Sequence, residues 1–295
     1  MKDQSVSVCG YAKINLHLDM TGKRADGYHT VNTVMQTVSL CDTVTVSLRE
    51  DERFFVTCNR EGVPTDEKNL AVRAALLLRE AVGKSFGAKI DIFKRIPMAA
   101  GLAGGSADAA ATLVALNRLL GEPCSAAQLC TLGARLGADV PFCIVGGTRF
   151  ADGKGDVLHD FPKMPDCPIV IACEGEGVST PWAYRRLDEA YGNFSAEFGY
   201  LPKELTCLEN ALKNQDVSKI ARAMYNIFEE PVLSERPVAA EIRSLFLSCG
   251  ALGAMMSGSG PSVFAIFESE EEANIAVRAL EEKGFQGYLC RPIDL

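Results

Sequence analysis

Residues 97–110 read Pro97-Met98-Ala99-Ala100-Gly101-Leu102-Ala103-Gly104-Gly105-Ser106-Ala107-Asp108-Ala109-Ala110. They lie between a predicted strand over 88–93 and a predicted helix over about 106–120. Because the residues are small, an anion can approach the backbone, and the start of the helix offers free N–H groups and a positive dipole end. The stretch is neither a Walker A loop nor G-x-G-x-x-G. Two interpretations stay open at this point: a phosphate site, or a turn that allows tight helix–strand packing.

The elements on either side of this stretch predict a mixed α+β chain. In the first half, strands are expected over 6–12, 14–18, 34–40, 43–48 and 54–58, and helices over 69–82 and from a capping box at Ser125–Gln128. Asp139-Val140-Pro141 breaks the pattern of that last helix. The turn at 152–155 is the candidate domain boundary, so we expect domains at 1–155 and 156–295.

The second half is predicted to begin with a strand over 168–173 and a helix in which Thr180 is the N-cap before Pro181. Helices are expected over 204–213, 216–229 and 237–248. The end of the chain has the order strand, glycine-rich turn, strand, helix, strand, and its helix opens with a capping box at Ser269–Glu272. This order predicts a ferredoxin-like arrangement.

Composition and charge exclude several classes of protein. The chain has 295 residues, 47% of them hydrophobic and 23% charged, which is typical of folded globular proteins and not of disordered chains. Its net charge of −8 argues against a general nucleic-acid or anionic-membrane binder, because such proteins are usually basic. Residues 244–267 carry no charge, but the Gly, Ser and Pro residues of 257–262 predict a turn, so we expect no membrane span.

The cysteines and histidines indicate in which compartment the protein works and whether it binds a metal ion. Eleven cysteines occur without a C-x-x-C pair, mostly in apolar runs, which is typical of a reducing compartment. No apolar signal-peptide region opens the sequence, so a cytoplasmic location is expected. The three histidines, at 17, 29 and 159, do not predict a multi-histidine metal site.

Four further stretches contain candidate functional residues, and each has an alternative role. Asp139, flanked by apolar residues, is either a partly desolvated base or a helix N-cap. Lys13 and Asn15 share one side of a strand, where they hold a phosphate and a hydroxyl or belong to a solvated edge. Tyr28 and His29 follow a turn, and the aromatic ring either stacks on a base or is partly buried. Residues 253–262 either close a site or form a hairpin turn.

Together and in this order, these motifs resemble the GHMP kinase superfamily. The resemblance rests on Ala12–Leu16, Gly22–His29, Pro97–Ala110, Gly137–Phe142 and Gly253–Ser262. Within the superfamily it is strongest to the branch that phosphorylates a methylerythritol joined to cytidine diphosphate. It implies an α+β fold of two domains, a ribosomal-protein-S5-like N-terminal domain and a ferredoxin-like C-terminal domain.

The resemblance also implies a reaction and its residues. ATP with Mg2+ is the implied phosphoryl donor, and the 2-hydroxyl of the methylerythritol is the acceptor. Asp139 is the implied general base and Lys13 its charged partner. The residues implied to wrap the ATP phosphates are Pro97, Met98, Ala99, Ala100, Gly101, Leu102, Ala103, Gly104, Gly105, Ser106 and Ala107. Those implied to hold the cytidine diphosphate substrate are Asn15, Tyr28 and His29.

Several points stay open in the sequence. The helix after Ser106 has no Glu before Glu122, so no magnesium ligand is named, and no oligomeric state is set. Ala103 and Ala107 depart from the Gly or Ser that relatives often have. Trp182 and Tyr184 are both candidates for a second aromatic residue at the cytosine. The alternatives are another small-molecule kinase of the superfamily, for mevalonate-pathway intermediates or homoserine, or a non-catalytic nucleotide sensor on the same fold.

Overall fold

The computed structural model describes residues 5–173, 177–192, 203 and 205–295. Contacts divide the chain into two compact units, each made of separate segments. The first comprises Met1–Ala12, Leu40–Met98 and Ala103–Gly146, and the second comprises Lys13–Ser39, Ala99–Leu102 and Gly147–Leu295. The domain boundary expected at residue 155 stays a prediction, as does the S5-like description of the first domain.

The first unit is a sheet with helices packed on one face. Its strands belong to β1 (Ser5–Lys23), β2 (His29–Arg49), β3 (Phe54–Cys58) and β4 (Gly87–Phe93), in the order β3-β4-β2-β1. Its helices are α1 (Leu70–Val82), α2 (Gly104–Leu119), α3 (Ala126–Ala134) and α4 (Asp139–Val145). Strand β3 is parallel to β4, and β2 is antiparallel to it. Buried Val, Ile, Leu and Ala side chains of β2, β4 and the helices form one core, to which α2 and α4 contribute Leu113, Leu116 and Val140.

The second unit contains the remaining elements. Its strands are β5 (Thr148–Asp152), β6 (Val157–Asp160), β7 (Ile169–Ala172), β8 (Tyr225–Asn226), β9 (Gly253–Met256), β10 (Val263–Ile266) and β11 (Gly287–Cys290). Its helices are α5 (Thr180–Tyr191), α6 (Thr206–Lys213), α7 (Val217–Ala223), α8 (Glu229–Leu233), α9 (Pro237–Ser248) and α10 (Glu270–Glu282).

A four-stranded antiparallel sheet in the order β11-β7-β10-β9 supports the second unit. Numbered by their position in the chain, these strands lie in the order 4-1-3-2, with helices between the first and second and between the third and fourth. That is the ferredoxin-like arrangement, so this part of the fold prediction is confirmed. Within the same unit, β5 pairs with the Thr33–Gln36 part of β2, and β8 pairs in parallel with β1.

Local signals placed most helix ends correctly. Both capping boxes are formed, with Ser125 bonded to Gln128 and Ser269 to Glu272. Asn69 caps α1 by accepting a hydrogen bond from the backbone N–H of Ala71 at 2.9 Å. At α5 the prediction was wrong by one residue, because Ser179 is the N-cap and Thr180 is already helical.

The predicted helix over 216–229 was wrong in its middle. Helix α7 ends before Met224, which is extended, and β8 then pairs with β1 before α8 begins. Pairing with a strand distant in sequence overrides the local helical pattern there. The start of the predicted helix at 204 lies outside the described residues.

The uncharged stretch 244–267 forms the end of α9, strand β9, a turn and strand β10. Among the described residues, none of the helices has the length and hydropathy that crossing a membrane requires. All eleven cysteines are free thiols, and most are at least partly buried.

Candidate active site

The first unit contains the start of helix α2. Ala103 is the N-cap residue in the left-handed conformation, with φ of 59°, and its side chain makes no capping hydrogen bond. No acidic side chain lies in the first turn. The N–H groups of that turn, at Gly104, Gly105 and Ser106, therefore have no side-chain cap to accept from them. An uncapped helix start of this kind binds anions through its N–H groups and dipole.

Helix α4 begins beside this helix start. A Cβ at Gly137 would lie 3.9 Å from the Oγ of Ser106, so the turn that leads into α4 passes close to the first turn of α2. Asp139 is the first residue of α4 and is half-buried. It does not cap the helix, because Ala138 occupies the N-cap position. A carboxylate thus lies at the same end of the unit as the uncapped N–H groups.

A buried charged cluster underlies the start of α2. The ammonium of Lys94 donates to the carboxylates of Asp42 at 2.5 Å and Asp108 at 2.8 Å, and all three side chains are almost fully buried. A Cβ at Gly104 would lie 3.2 Å from the Lys94 Nζ, so the cation packs directly against the first turn. The other oxygen of Asp42 accepts from the backbone N–H groups of Arg95 and Ile96, at 2.6 and 2.9 Å.

The two carboxylates of this cluster differ in their surroundings. The Oδ1 of Asp108 has no hydrogen-bond partner and is buried. Burial raises the pKa of Asp108 to about 7, with the Lys94 ammonium opposing that shift and Asp42 adding to it. For Lys94, burial lowers the pKa, but the attraction of Asp108 and Asp42 outweighs it, so the net shift is upward. Lys94 therefore stays charged, while Asp108 exchanges its proton near neutral pH.

In the second unit, Lys13 is held by short contacts on β1. Its ammonium donates to the Oδ1 of Asn15 at 2.7 Å and to the carbonyl of Gly101 at 3.0 Å. Asn15 in turn donates to the Oγ1 of Thr33 at 2.8 Å. Lys13 and Asn15 are 4% and 3% exposed, so they do not belong to a solvated edge strand. A buried ammonium with fixed partners presents a localised positive charge.

The glycine-rich turn between β9 and β10 packs against this part of the 97–107 loop. Ser257 donates its hydroxyl to the same Gly101 carbonyl at 3.1 Å, and the N–H of Ser262 donates to the carbonyl of Ala100 at 3.2 Å. A Cβ at Gly101 would lie 2.1 Å from the carbonyl oxygen of Ser257, so only glycine fits there. The hairpin interpretation of residues 253–262 is confirmed, since the turn joins the paired strands β9 and β10, whereas the closing of a site by this turn stays a prediction.

An aromatic and acidic group surrounds His29 in the second unit. The Nε2 of His29 lies 2.7 Å from the Oδ1 of Asp188, and its ring stacks on Tyr184 at 4.8 Å between centroids. Although burial raises the pKa of Asp188, hydrogen bonds from Lys23 and then His29 outweigh it and lower the pKa overall. Tyr28 is 62% exposed, with the Lys154 ammonium 5.4 Å from the centre of its ring.

The structure thus brings the sequence-predicted residues together in separate sets. The first unit contains Ser106 near Gly137 and Asp139, and the second contains Lys13 with Asn15 and Gly101. Of the two aromatic candidates, Tyr184 contacts His29, whereas the Trp182 ring lies 5.7 Å from the guanidinium carbon of Arg236. The roles assigned to these residues stay predictions.

Sequence reasoning missed the cluster of Asp42, Lys94 and Asp108. One signal was present, because Asp108 is the only charged residue in the apolar and small stretch that follows Ser106 up to Arg118. An isolated acid on a helix that packs against a sheet predicts a buried partner. Nothing in the sequence identified Asp42 and Lys94 as its partners.

Comparison with known proteins defines the class. Models of the GHMP kinase N-terminal domain and of the GHMP kinase C-terminal domain match residues 69–147 and 208–286. The chain also has the fold of a crystal structure of homoserine kinase from Cytophaga hutchinsonii, with a TM-score of 0.75, 24% identity and coverage of 100% of this chain and 96% of that one. The fold is that of a GHMP kinase, as the motifs predicted.

More similar proteins narrow this class. A 4-diphosphocytidyl-2-C-methyl-D-erythritol kinase of Synechococcus sp. strain JA-2-3B'a(2-13) is 44% identical over 274 residues, covering 92% of this chain and 88% of the relative. A crystal structure of 4-(cytidine 5'-diphospho)-2C-methyl-D-erythritol kinase has a TM-score of 0.80 and 31% identity, covering 97% of this chain and 99% of that one. The chain belongs to the 4-diphosphocytidyl-2-C-methyl-D-erythritol kinase family.

Proposed function

We propose that this chain transfers the γ-phosphoryl group of ATP to the 2-hydroxyl of 4-diphosphocytidyl-2-C-methyl-D-erythritol, a step of the non-mevalonate isoprenoid pathway. Its membership of that kinase family supports the proposal. The observation that carries it is the uncapped start of α2 beside the turn that leads to Asp139. Phosphoryl transfer needs little more from a protein than positioning and charge stabilisation, and this arrangement offers an anion site with a carboxylate next to it.

We assign the roles as follows. The loop from Pro97 to Ala107 binds the ATP phosphates through its backbone N–H groups. Asp139 accepts the proton of the acceptor hydroxyl while the oxygen of that hydroxyl forms a bond to the γ-phosphorus. The bond between that phosphorus and the β,γ-bridging oxygen breaks, and ADP leaves. Lys13 offsets the negative charge on the transferring group.

The substrate contacts are proposed for the second unit. Asn15 and His29 are fixed by hydrogen bonds to Thr33 and Asp188 and so offer oriented polar groups. Tyr28 is exposed enough to stack on a cytosine ring, and Tyr184, already stacked on His29, is the second aromatic residue we assign there. The cytoplasmic location stays a prediction.

The residues fit a magnesium ion only as part of its complex with ATP. Among the residues that the structure describes, no three His, Cys, Asp or Glu side chains cluster as a metal site. Mg2+ is commonly bound through substrate phosphates and one or two carboxylates. The triphosphate oxygens would hold the ion, which would supply charge neutralisation when bound, and Asp139 stays assigned as the base. We therefore propose Mg2+-ATP as the co-substrate.

The test is ADP release in a coupled assay with Mg2+-ATP and each of three acceptors: 4-diphosphocytidyl-2-C-methyl-D-erythritol, mevalonate and homoserine. We expect turnover with the cytidine compound alone, inhibited by free cytidine diphosphate. Turnover with mevalonate or homoserine instead would identify another kinase of the family. ATP binding without turnover on any acceptor would support the nucleotide sensor.

Variants test the assigned residues in the same assay. We expect Asp139→Asn and Lys13→Met each to lower kcat by a factor of about 100 or more, within the range for a general base or a charge-stabilising group. Asp160→Asn and Lys163→Met are matched controls, because both side chains are exposed. If Asp139→Asn and Lys13→Met keep the turnover of their controls, the assignment is wrong.

A further inference from the structure

The side chain of Asn226 forms hydrogen bonds to the backbone of the glycine-rich turn between β9 and β10. Its side-chain amide donates both hydrogens to the backbone, to the carbonyls of Met256 at 2.7 Å and Gly258 at 2.9 Å. Its Oδ1 accepts from the N–H of Phe228 at 3.0 Å. The side chain is 4% exposed. Both N–H donors are thus used on the turn, and the amide oxygen is bonded as well.

The turn that Asn226 holds lies close to the Lys13 ammonium. Gly258 is left-handed, with φ of 58°, and a Cβ on it would lie 3.3 Å from the Lys13 Nζ and 3.1 Å from the Gly101 carbonyl oxygen. Ser257 and Lys13 donate to that same carbonyl, at 3.1 and 3.0 Å. A shift of the Ser257–Gly258 peptide therefore moves the acceptor of Lys13 and the surface against which its ammonium packs.

Asn226 and Lys13 are also fixed to one strand. Asn226 lies on β8, opposite Leu18 in the parallel pairing with β1, and Lys13 lies earlier on β1. Strand β1 therefore supports Lys13 directly and supports the turn through Asn226. Glu229 adds a second bond to the turn, since its Oε1 accepts from the N–H of Met256 at 3.1 Å.

We propose that Asn226 is a positioning residue for phosphoryl transfer: by fixing the Ser257–Gly258 peptide, it holds the Gly101 carbonyl and the Lys13 ammonium in their working positions. This inference rests on the role proposed for Lys13. Asn226 is not assigned a contact with substrate, because both its donors are used on the protein backbone. Its effect on the reaction is exerted through Lys13.

The test is a double-mutant cycle with Asn226→Asp and Lys13→Met, measured by single-turnover kinetics with enzyme in excess so that slow variants stay measurable. Aspartate keeps the shape of the side chain, but it lacks both N–H donors and places a carboxylate against two carbonyls. We expect Asn226→Asp alone to lower kcat by about 10- to 100-fold, as a displacement of about 1 Å does, and to change the KM for ATP less.

The Lys13→Met background separates positioning from general damage to the fold. If Asn226 acts through Lys13, Asn226→Asp lowers the remaining rate by less than about threefold there, because the group it positions is already absent. The same 10- to 100-fold loss in both backgrounds would overturn the inference while leaving the proposed function intact. Wild-type kcat in Lys13→Met would instead refute the role proposed for Lys13.

Two further variants complete the test. Asn214→Asp is the matched control, because Asn214 is exposed and bonds only within its own helix end, and we expect a kcat within about twofold of wild type. If Asn226→Asp does not fold, Ser257→Ala replaces it, since it removes a single hydroxyl bond to Gly101. We expect a several-fold loss of kcat that disappears in Lys13→Met, and a loss that persists there overturns the inference.

Discussion

Replacing Lys94 by methionine tests the buried charged cluster under helix α2. Methionine keeps most of the length and apolar volume of lysine and removes only the cation. The ammonium lies 2.5 Å from Asp42 and 2.8 Å from Asp108, and these carboxylates are 0% and 7% exposed. Breaking a buried ion pair by removing one partner costs about 3–5 kcal/mol, because a charge is left buried without compensation. We expect Lys94→Met to lose about that much free energy of unfolding.

The structure also indicates how the loss divides between the two acids. Asp42 keeps the backbone N–H groups of Arg95 and Ile96 after the change, whereas Asp108 keeps no charged partner and has an unpartnered Oδ1. Asp108 is therefore the main source of the cost at neutral pH. Adding Asp108→Asn to Lys94→Met should recover about 1–2 kcal/mol, since without Lys94 the Asp108 carboxyl is either buried as an uncompensated anion or protonated at a cost in free energy, and asparagine avoids both.

The assay is urea unfolding at pH 7.5, followed by far-UV circular dichroism, with thermal unfolding in parallel. At about 2 °C per kcal/mol, Lys94→Met should lower the Tm by about 6–10 °C. Lys89→Met is the matched control, because Lys89 lies on β4, the strand that ends just before Lys94. It pairs with Asp91 at 2.8 Å and is exposed, so its loss should stay below about 1 kcal/mol. A loss in Lys94→Met no larger than in Lys89→Met would refute the reasoning, as would a double variant less stable than the single one.

Two more predictions concern the same loop and helix. The folded-state pKa of Asp108, about 7, lies above its ordinary value of 3.8, so the stability that Asp108 contributes is present below about pH 4 and is lost as the pH rises through 7. Asp108→Asn should therefore flatten the decline of the urea unfolding midpoint between pH 4 and 8. An unchanged slope would contradict this prediction. Ala103 is left-handed at φ 59°, so Ala103→Gly should raise the free energy of unfolding by about 0.5–1 kcal/mol. Ala110→Gly, inside α2, is the control and should lower that free energy by about 1 kcal/mol. If urea unfolding gives changes of the same sign for both variants, Ala103 is not strained.

The sequence predicted the elements whose signals are local. The strand over 54–58, the helix over 237–248 and both capping boxes depend on residues that lie close together in the chain, and all of them are confirmed. Residues 216–229 show the limit of such signals. Their helical periodicity is broken by β8, which pairs with β1, and no window around Tyr225 contains that partner.

In the candidate site, too, features that depend on neighbouring residues could be predicted, whereas those that depend on distant residues could not. The uncapped helix start could be predicted because Ala103 is unable to cap and glycines follow it. The partners of Lys13 could be predicted only in part, since Asn15 is two residues away whereas Gly101 is brought to it by the fold. Asn226 was not predicted at all, because its hydrogen bonds go to backbone atoms, and backbone acceptors leave no pattern in the side chains.

The interleaving of the two compact units has a consequence for synthesis on the ribosome. All segments of the first unit have been made once residue 146 is added, whereas the second unit also needs Gly147–Leu295. His17 pairs with Tyr225, about 200 positions later in the chain. Since domains form as their residues emerge, and distant pairings are slow to close, the His17–Leu18 part of β1 must wait for β8 long after β2 has been made. During that interval this edge of β1 is without its β8 partner, and an unpaired strand edge can pair with another chain.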